Sequence, residues 1–184
     1  MSNIIPKPFY SDVDGETFHH CKVCGESLYN GQPYSIEKAF KRIDEHQEVT
    51  IFEIAICTPC AEKQAAKMSK HSRAYMEQVM TEKGMMEKRT ALWENNWEEN
   101  WNKRCLLTNN EIKLNDEYHI IGNFVNGEVI PNAAPFVIGQ ELMEEIQENL
   151  SLETKEEMDR FGEQFLGPDP ALRALLKDYQ FVLV

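Results

Sequence analysis

The 184-residue sequence predicts an α+β protein, and three observations support this fold class. Segments 34–56 and 105–138 contain short apolar runs between glycine and asparagine turn signals, a pattern typical of antiparallel strands. Segments 61–104 and 142–160 instead carry apolar residues about three, four and seven positions apart, which is typical of helices. Hydrophobic residues at 42% and charged residues at 27% are ordinary values for a chain with a folded core.

The N-terminal part of the chain divides into an arm and a small module. Residues 1–18 contain two prolines and a glycine and are expected to form an extended arm. Residues 19–70 are expected to form a tight turn, a hairpin with strands near 34–40 and 51–56, and a helix that begins near Pro59.

Two Cys-x-x-Cys pairs stand at the two ends of this predicted hairpin. Cys21 and Cys24 form the first pair, and Cys57 and Cys60 follow after 32 intervening residues. Four thiolates are enough to close a tetrahedral shell around zinc and leave no open coordination position. The spacing therefore predicts one structural Zn²⁺ ion held by these four cysteines.

The order of a knuckle, a hairpin and a Cys-x-x-Cys that enters a helix resembles the treble-clef zinc fold over residues 19–70. This resemblance implies a structural zinc site. It implies no particular activity, because treble clefs carry many unrelated functions.

A second interpretation of the same cysteines is redox chemistry. Cys57-Thr-Pro-Cys60 lies between an apolar strand and a helix. In this it resembles the active turn of thioredoxin-like proteins, and the resemblance implies that the helix N-terminus lowers the pKa of the first thiol. Pro131 would be the proline that faces this turn. Segment 21–56 shows no helix before the motif, however, and the upstream pair stays unexplained. We favour zinc and keep the dithiol redox protein as the alternative.

Residues 71–104 are expected to form connecting helices with a break at Gly84. Trp93, Trp97 and Trp101 recur four positions apart, so they share one helix face. That face is either a partner-binding surface or part of the core. The acidic and amide residues between the tryptophans look solvated, which favours the core.

Residues 105–152 are predicted to form a second, metal-free hairpin and helix module. An offset of 84 aligns Tyr34 with Tyr118, and an offset of 82 aligns Met68 with Leu150. The cysteines at 21, 24, 57 and 60 then fall on Cys105, Thr108, Gly139 and Leu142. We interpret this as a tandem duplication that lost three ligands; two unrelated hairpin and helix units are the alternative.

Residues 153–184 are expected to form short helices and a terminal strand. Thr154 and Glu157 suggest a capping box, Asp169-Pro170 suggests a last helix start, and the closing FVLV suggests the strand. The many acids of segment 141–163 are expected to form a solvated helix face.

Charge and motif content narrow the classes of function. A net charge of −12 argues against nucleic acid as the main partner, because phosphate binding relies on Lys and Arg. Only segment 62–89 is mildly basic, so a nucleic-acid-binding zinc finger is the third choice. No catalytic motif stands out, and the isolated His119 is expected at the surface. We expect a non-enzymatic protein that binds another protein, while the question of catalysis stays open.

Segment composition also bears on location. No apolar run approaches the ~20 residues of a membrane span, and the first residues lack the basic segment and apolar stretch of a signal peptide. We therefore expect a cytoplasmic protein without a membrane partner. In that compartment cysteine pairs favour metal or redox chemistry over disulfides.

Overall fold

A computed structural model describes residues 4–45 and 47–166 as a mixed α/β fold with one antiparallel sheet. The strands are β1 (Tyr34–Arg42), β2 (Glu48–Cys57), β3 (Glu117–Val125), β4 (Glu128–Val129) and β5 (Phe136–Gly139). The helices are α1 (Thr58–Lys67), α2 (Lys70–Glu82), α3 (Met85–Glu94), α4 (Trp97–Asn100), α5 (Gln140–Asn149) and α6 (Leu152–Phe161), and a π-helical turn (Gly162–Leu166) follows α6. The predicted helix at Asp169-Pro170 and the FVLV strand lie outside the described residues. None of the described helices is long and apolar enough to cross a membrane.

The sheet is built around the pair of central strands β1 and β3. β1 lies between β2 and β3, and β5 and β4 pair with successive parts of β3 on its other edge. The β1–β2 hairpin places Tyr34 opposite Cys57, which fixes where the second Cys-x-x-Cys leaves the sheet. A register shift between Ala39 and Phe40 bends this hairpin near its tip.

The N-terminal arm packs on the sheet. Phe9 is fully buried at the end of a 3-10 turn, where its ring lies 5.2 Å from Trp101 and 5.2 Å from Phe124, centroid to centroid. Gly122 makes this approach possible, because a Cβ there would lie 2.5 Å from the ring of Phe124 and 3.1 Å from that of Phe9. The buried Lys38 amine also donates to the Tyr10 carbonyl at 2.6 Å. The arm is therefore part of the core.

The segment between the two hairpins forms four helices, α1 to α4. Gly84 separates α2 from α3 with φ at +68°, at the predicted break. A second interruption follows α3, where Asn96 takes a left-handed φ of +53° before α4. The glutamates of α4 stay exposed while Trp97 at its start is buried.

The start of α6 differs from the predicted capping box. Ser151 is the N-cap, and its Oγ accepts a hydrogen bond from the Thr154 N–H at 3.2 Å. Thr154 is thus inside the first turn and fully buried, while Glu157 pairs with Lys67 on α1 at 2.8 Å. The capping-box prediction was wrong because Ser151 supplies the same kind of acceptor one turn earlier.

Candidate metal centre

Four cysteine side chains converge at one end of the β1–β2 hairpin. The Sγ atoms of Cys21, Cys24, Cys57 and Cys60 all lie within 4.8 Å of one another. They are the only group of three or more metal-ligating His, Cys, Asp or Glu side chains in residues 4–45 and 47–166. We refer to these four residues as the four-cysteine cluster.

A tight knuckle positions the first pair. The Gly25 N–H donates to the Cys21 carbonyl at 2.9 Å, and Gly25 has φ at +76°, a conformation that glycine adopts without a Cβ penalty. The Lys22 N–H then donates to the Ala55 carbonyl at 2.9 Å, which ties the knuckle to the edge of β2. The turn and the tie together bring Cys21 and Cys24 to the end of β2.

The change from strand to helix positions the second pair. Cys57 is the last residue of β2 and the N-cap of α1, with φ −69° and ψ 151°. Thr58 anchors this corner, because its N–H and its hydroxyl both donate to the Pro33 carbonyl, at 3.1 and 2.8 Å. Pro59 suits the first turn, where a backbone N–H has no intrahelical acceptor. Cys60 therefore points back toward the knuckle from the first turn of α1.

The donor set fits zinc. Zn–S bonds of about 2.3 Å in a tetrahedron place sulfur atoms about 3.8 Å apart. The Sγ atoms of Cys24 and Cys57 lie 3.8 Å apart. Four soft sulfur donors with no oxygen or imidazole nitrogen in the group select zinc or iron over magnesium and calcium. His19 and His20 lie beside the knuckle, outside the four-cysteine cluster.

The thiols of the cluster differ in pKa. Burial raises the pKa of the Cys21 thiol, but N–H groups of Cys57, Cys24 and Val23 point at its sulfur and bring the pKa down to about 7. Burial and the neighbouring thiols raise the pKa of Cys60, and burial also raises that of Cys57. The lowered pKa favours a thiolate at Cys21, and the charge of that thiolate opposes ionisation of Cys60. A metal ion held by the four sulfurs would remove that opposition.

The predicted tryptophan face is mostly internal. Trp97 is 2% exposed and Trp101 is 4% exposed, and both belong to the main core. Trp93 is partly buried and stacks on Trp97, with ring centroids 5.7 Å apart. Among the three tryptophans, a partner could reach only Trp93. Trp97 and Trp101 instead pack in the core.

His119 occupies a place that the sequence did not indicate. The prediction of a surface histidine was wrong: its side chain is 1% exposed, and its Nδ1 lies 2.6 Å from Oε1 of the buried Glu37. The ring of Phe52 meets the imidazole edge-on at 5.4 Å. The pair is buried because β1 and β3 are central strands covered on both faces. A Glu and a His 82 residues apart carry no local signal of such a contact.

The fifth cysteine stands apart from the cluster. Cys105 is buried at 2% exposure and starts a turn whose next residue, Leu106, donates to the Val137 carbonyl at 2.8 Å. A small pocket of about 20 Å³ beside it is lined partly by Gly139 and Leu142. Cys105 thus behaves as a small apolar core residue.

Comparisons with known proteins leave the chain without an assigned family. It matches no protein-family model, and no curated protein and no solved structure is significantly similar to it. Functional conclusions therefore rest on the residues and their geometry.

Proposed function

We propose that this is a non-enzymatic zinc-binding protein in which the four-cysteine cluster holds one structural Zn²⁺ ion within a treble-clef-like module, and that it serves as a protein-interaction scaffold. The observation that carries the proposal is the convergence of four thiols from a knuckle and a strand-to-helix corner within 4.8 Å. Four protein ligands complete a tetrahedral shell, so substrate has no coordination position on the metal. A closed site of this kind stabilises a fold and does not catalyse.

The dithiol redox alternative has less support. It requires Cys57 to be the nucleophile of a pair with Cys60, and a nucleophilic thiol needs a lowered pKa. Burial raises the pKa of Cys57 instead. The Sγ of Cys57 also lies 3.8 Å from that of Cys24, so the two pairs belong to one group.

The first experiment measures zinc per chain in freshly purified, reduced protein and counts accessible thiols beside it. We expect one zinc, four thiols protected until a chelator is added, and reversal on zinc addition. Cys60→Ser should abolish binding. Cys105→Ser is a matched control because it removes another buried cysteine, and it should retain one zinc per chain. A metal-free wild-type chain in which Cys57 and Cys60 cycle between dithiol and disulfide would replace this proposal with the redox one.

The acidic helices α5 and α6 are the surface that we propose for a partner protein, because the buried Trp97 and Trp101 leave little of the tryptophan face. Their acids outside the core are Glu141, Glu144, Glu145, Glu148, Glu153, Glu156 and Asp159. Such a surface favours a basic partner, and screening by salt would weaken the association.

A lysine-rich peptide is a suitable probe of this surface. Titration at low and high salt should show binding that Glu144→Lys with Glu148→Lys abolishes. Glu98→Lys with Glu99→Lys on α4 makes the same change in net charge elsewhere and should weaken binding much less. An equal loss of peptide affinity in both double variants would mean that binding depends only on net charge. The proposal of a partner surface on α5 and α6 would then be rejected.

A further inference from the structure

We infer that residues 105–161 are a second copy of residues 21–79, related to the first by an internal two-fold axis, and that the second copy retains the frame of a metal centre it has lost. The four former ligand positions are Cys105, Thr108, Gly139 and Leu142. The inference rests on the proposed function for the identity of the metal, and it adds a latent site for the same ion. Five independent features of the backbone and its hydrogen bonds carry it.

The knuckle turn is repeated. The Gly25 N–H donates to the Cys21 carbonyl at 2.9 Å, and the Asn109 N–H donates to the Cys105 carbonyl at 2.9 Å. Gly25 and Asn109 both take the left-handed conformation, with φ at +76° and +61°. Asparagine is the residue that best replaces glycine there, so the turn that once served a ligand pair is preserved without the second ligand.

The tie between knuckle and strand is repeated as well. Lys22 donates to Ala55 at 2.9 Å in the first copy, and Leu106 donates to Val137 at 2.8 Å in the second. Lys22 and Leu106 are 84 positions apart, and Ala55 and Val137 are 82 positions apart. These are the offsets of the sequence alignment on the two sides of the hairpin tip.

The hairpin register and the helix that follows agree residue by residue. Tyr34 pairs with Cys57 between β1 and β2, and Tyr118 pairs with Gly139 between β3 and β5. The next residue begins a ten-residue helix in both copies, α1 and α5. A random pair of hairpin and helix units would not share both register and helix length.

The two copies are related by a two-fold axis through the sheet. Tyr34 pairs with Phe124 and Phe40 pairs with Tyr118 in the antiparallel β1–β3 ladder. An offset of 84 converts each of these pairs into the other. A surface that contacts its own copy in this reciprocal way is the signature of two-fold symmetry.

The helix caps repeat this reciprocity. The Ser69 N–H at the start of α2 donates to the Thr154 hydroxyl at 3.0 Å, and the Ser151 N–H at the start of α6 donates to the Ser72 hydroxyl at 2.9 Å. The offset of 82 exchanges these two hydrogen bonds. The axis therefore passes through the cluster of hydroxyl side chains formed by Ser69, Ser72, Ser151 and Thr154, as well as through the sheet.

Local packing explains how the second copy dispenses with metal. A Cβ built on Gly139 would lie 3.5 Å from the Cβ of Cys105, so a side chain at 139 would begin beside that of Cys105. The same Cβ would lie 3.3 Å from Cδ1 of Ile112, so an apolar side chain adjoins position 139. Leu142 is 1% exposed at the position of Cys60. Apolar contacts thus hold the second corner where sulfur and zinc hold the first.

Restoring the three missing thiols tests the inference directly. The chain with Thr108→Cys, Gly139→Cys and Leu142→Cys should bind two zinc ions, a doubling of the wild-type content. Adding Cys105→Ser to that triple variant should return the count to one, since only three thiols then remain. A folded triple variant that still binds one zinc would overturn the inference.

The reciprocal exchange gives an answer even if the triple variant does not fold. Cys24→Thr, Cys57→Gly and Cys60→Leu give the first copy the residues of the second. We expect a zinc-free chain that folds and unfolds at a higher urea concentration than its control with serine at 24, 57 and 60. Equal or lower stability would mean that the apolar set is no substitute for the metal, and the inference would fail.

Wild-type zinc content separates the two hypotheses. If the wild-type chain binds no zinc, the proposed function fails. If it binds one and the restored chain also binds one, only the inference fails.

Discussion

Glu37 and His119 form a deeply buried polar contact within the sheet. Glu37 stands on β1 opposite Ile54 of β2 and Ile121 of β3, so apolar residues flank the carboxyl on both sides. Burial raises the pKa of Glu37, and the hydrogen bond with His119 only partly offsets that rise. A polar pair at such a position adds specificity of strand alignment, since a shifted register would leave both groups unpaired.

We expect Glu37→Gln to gain stability relative to wild type as the pH rises. The unfolded Glu37 ionises near its usual pKa of 4.5 and the folded one ionises higher. The unfolded state therefore holds fewer protons between those two values, and wild-type stability falls across that window. Glutamine cannot ionise but can still bond to His119.

Urea unfolding of both proteins at pH 5 and pH 7.5 in excess zinc measures this effect. The same substitution at the exposed Glu128 shows what loss of a surface carboxylate does by itself. A stability difference between Glu37→Gln and wild type that is equal at both pH values would contradict the prediction.

At the scale of elements, the beginnings of α2 and α6 are joined by one hydroxyl cluster. Ser69 and Ser151 are the N-caps, accepting from Ser72 and Thr154 at 3.1 and 3.2 Å. The Ser151 hydroxyl also donates to that of Ser69 at 2.8 Å. Each cap thus supports its own helix and the packing of the other one.

Ser151→Ala should lower the free energy of unfolding by about 1–2 kcal/mol, the upper part of the range for N-caps, because the substitution also leaves buried hydroxyls without a partner. Urea denaturation measures the loss. Ser69→Ala in the same background should add less than its individual effect, since both residues belong to one network. Strict additivity of the two losses would show that the caps act separately.

The N-terminal arm is a structural element despite its lack of a long helix or strand. Its Phe9 ring sits between Trp101 and Phe124, and Lys38 binds Asp12 at 2.8 Å and Glu53 at 3.0 Å. A buried lysine with two carboxylates ties the arm to β1 and β2. Removal of the Lys38 amine from this group would leave its two carboxylates without their cation.

Phe9→Ala should destabilise the protein by ~3–5 kcal/mol, because it opens a cavity under the sheet. Val13→Ala in the same arm is the control; Val13 is 90% exposed and its truncation should change stability by less than about 0.5 kcal/mol. Urea denaturation of wild type, Phe9→Ala and Val13→Ala measures the free energy of unfolding of each. Comparable small losses in both variants would mean that the arm is held by its polar contacts alone.

At the scale of the whole molecule, one sheet and the helices packed on it connect both hairpins. β1 supports the four-cysteine cluster through its pairing with β2 and the second hairpin through its pairing with β3. Salt bridges link helices of the two halves, from Lys67 to Glu157 at 2.8 Å and from Lys83 to Glu145 at 3.2 Å. A change at the metal centre should therefore reach both halves.

Removal of the proposed zinc ion should destabilise the protein in one cooperative step. Each tenfold fall in free zinc well above the dissociation constant should lower stability by about 1.4 kcal/mol, because the metal binds only the folded chain. Lowering the pH should act in the same direction, since protons compete for the thiolates. Near-ultraviolet signals from the buried Trp97 and Trp101 should change together with thiol exposure during chelation. Thiols that become reactive while the tryptophan signal stays native would show a purely local role.

The cysteines and the helix break at Gly84 were predictable from the sequence because their signals are local, whereas the interruption at Asn96 was not predicted. Two Cys-x-x-Cys spacings indicate a shared ligand set, and the Gly84 break follows from the cost of glycine inside a helix. The capping of α6 was misjudged because Ser151 and Thr154 are both suitable caps, and only the hydrogen bonds choose between them. The sequence left open whether the tryptophan face is buried, and tertiary contacts such as that of Trp101 with Phe9 decided it.

The sequence by itself determined the mixture of helices with an antiparallel sheet and the four-cysteine set, since both depend on residue type and spacing along the chain. The tertiary structure alone decided which polar residues are buried, that the arm belongs to the core, and that β1 and β3 pair in a two-fold manner. These features depend on contacts between residues far apart in the chain, such as Glu37 with His119, Ser69 with Thr154 and Phe9 with Phe124. Neither periodicity nor local propensity carries information about such pairs, because each side chain meets its partner only after the strands have assembled.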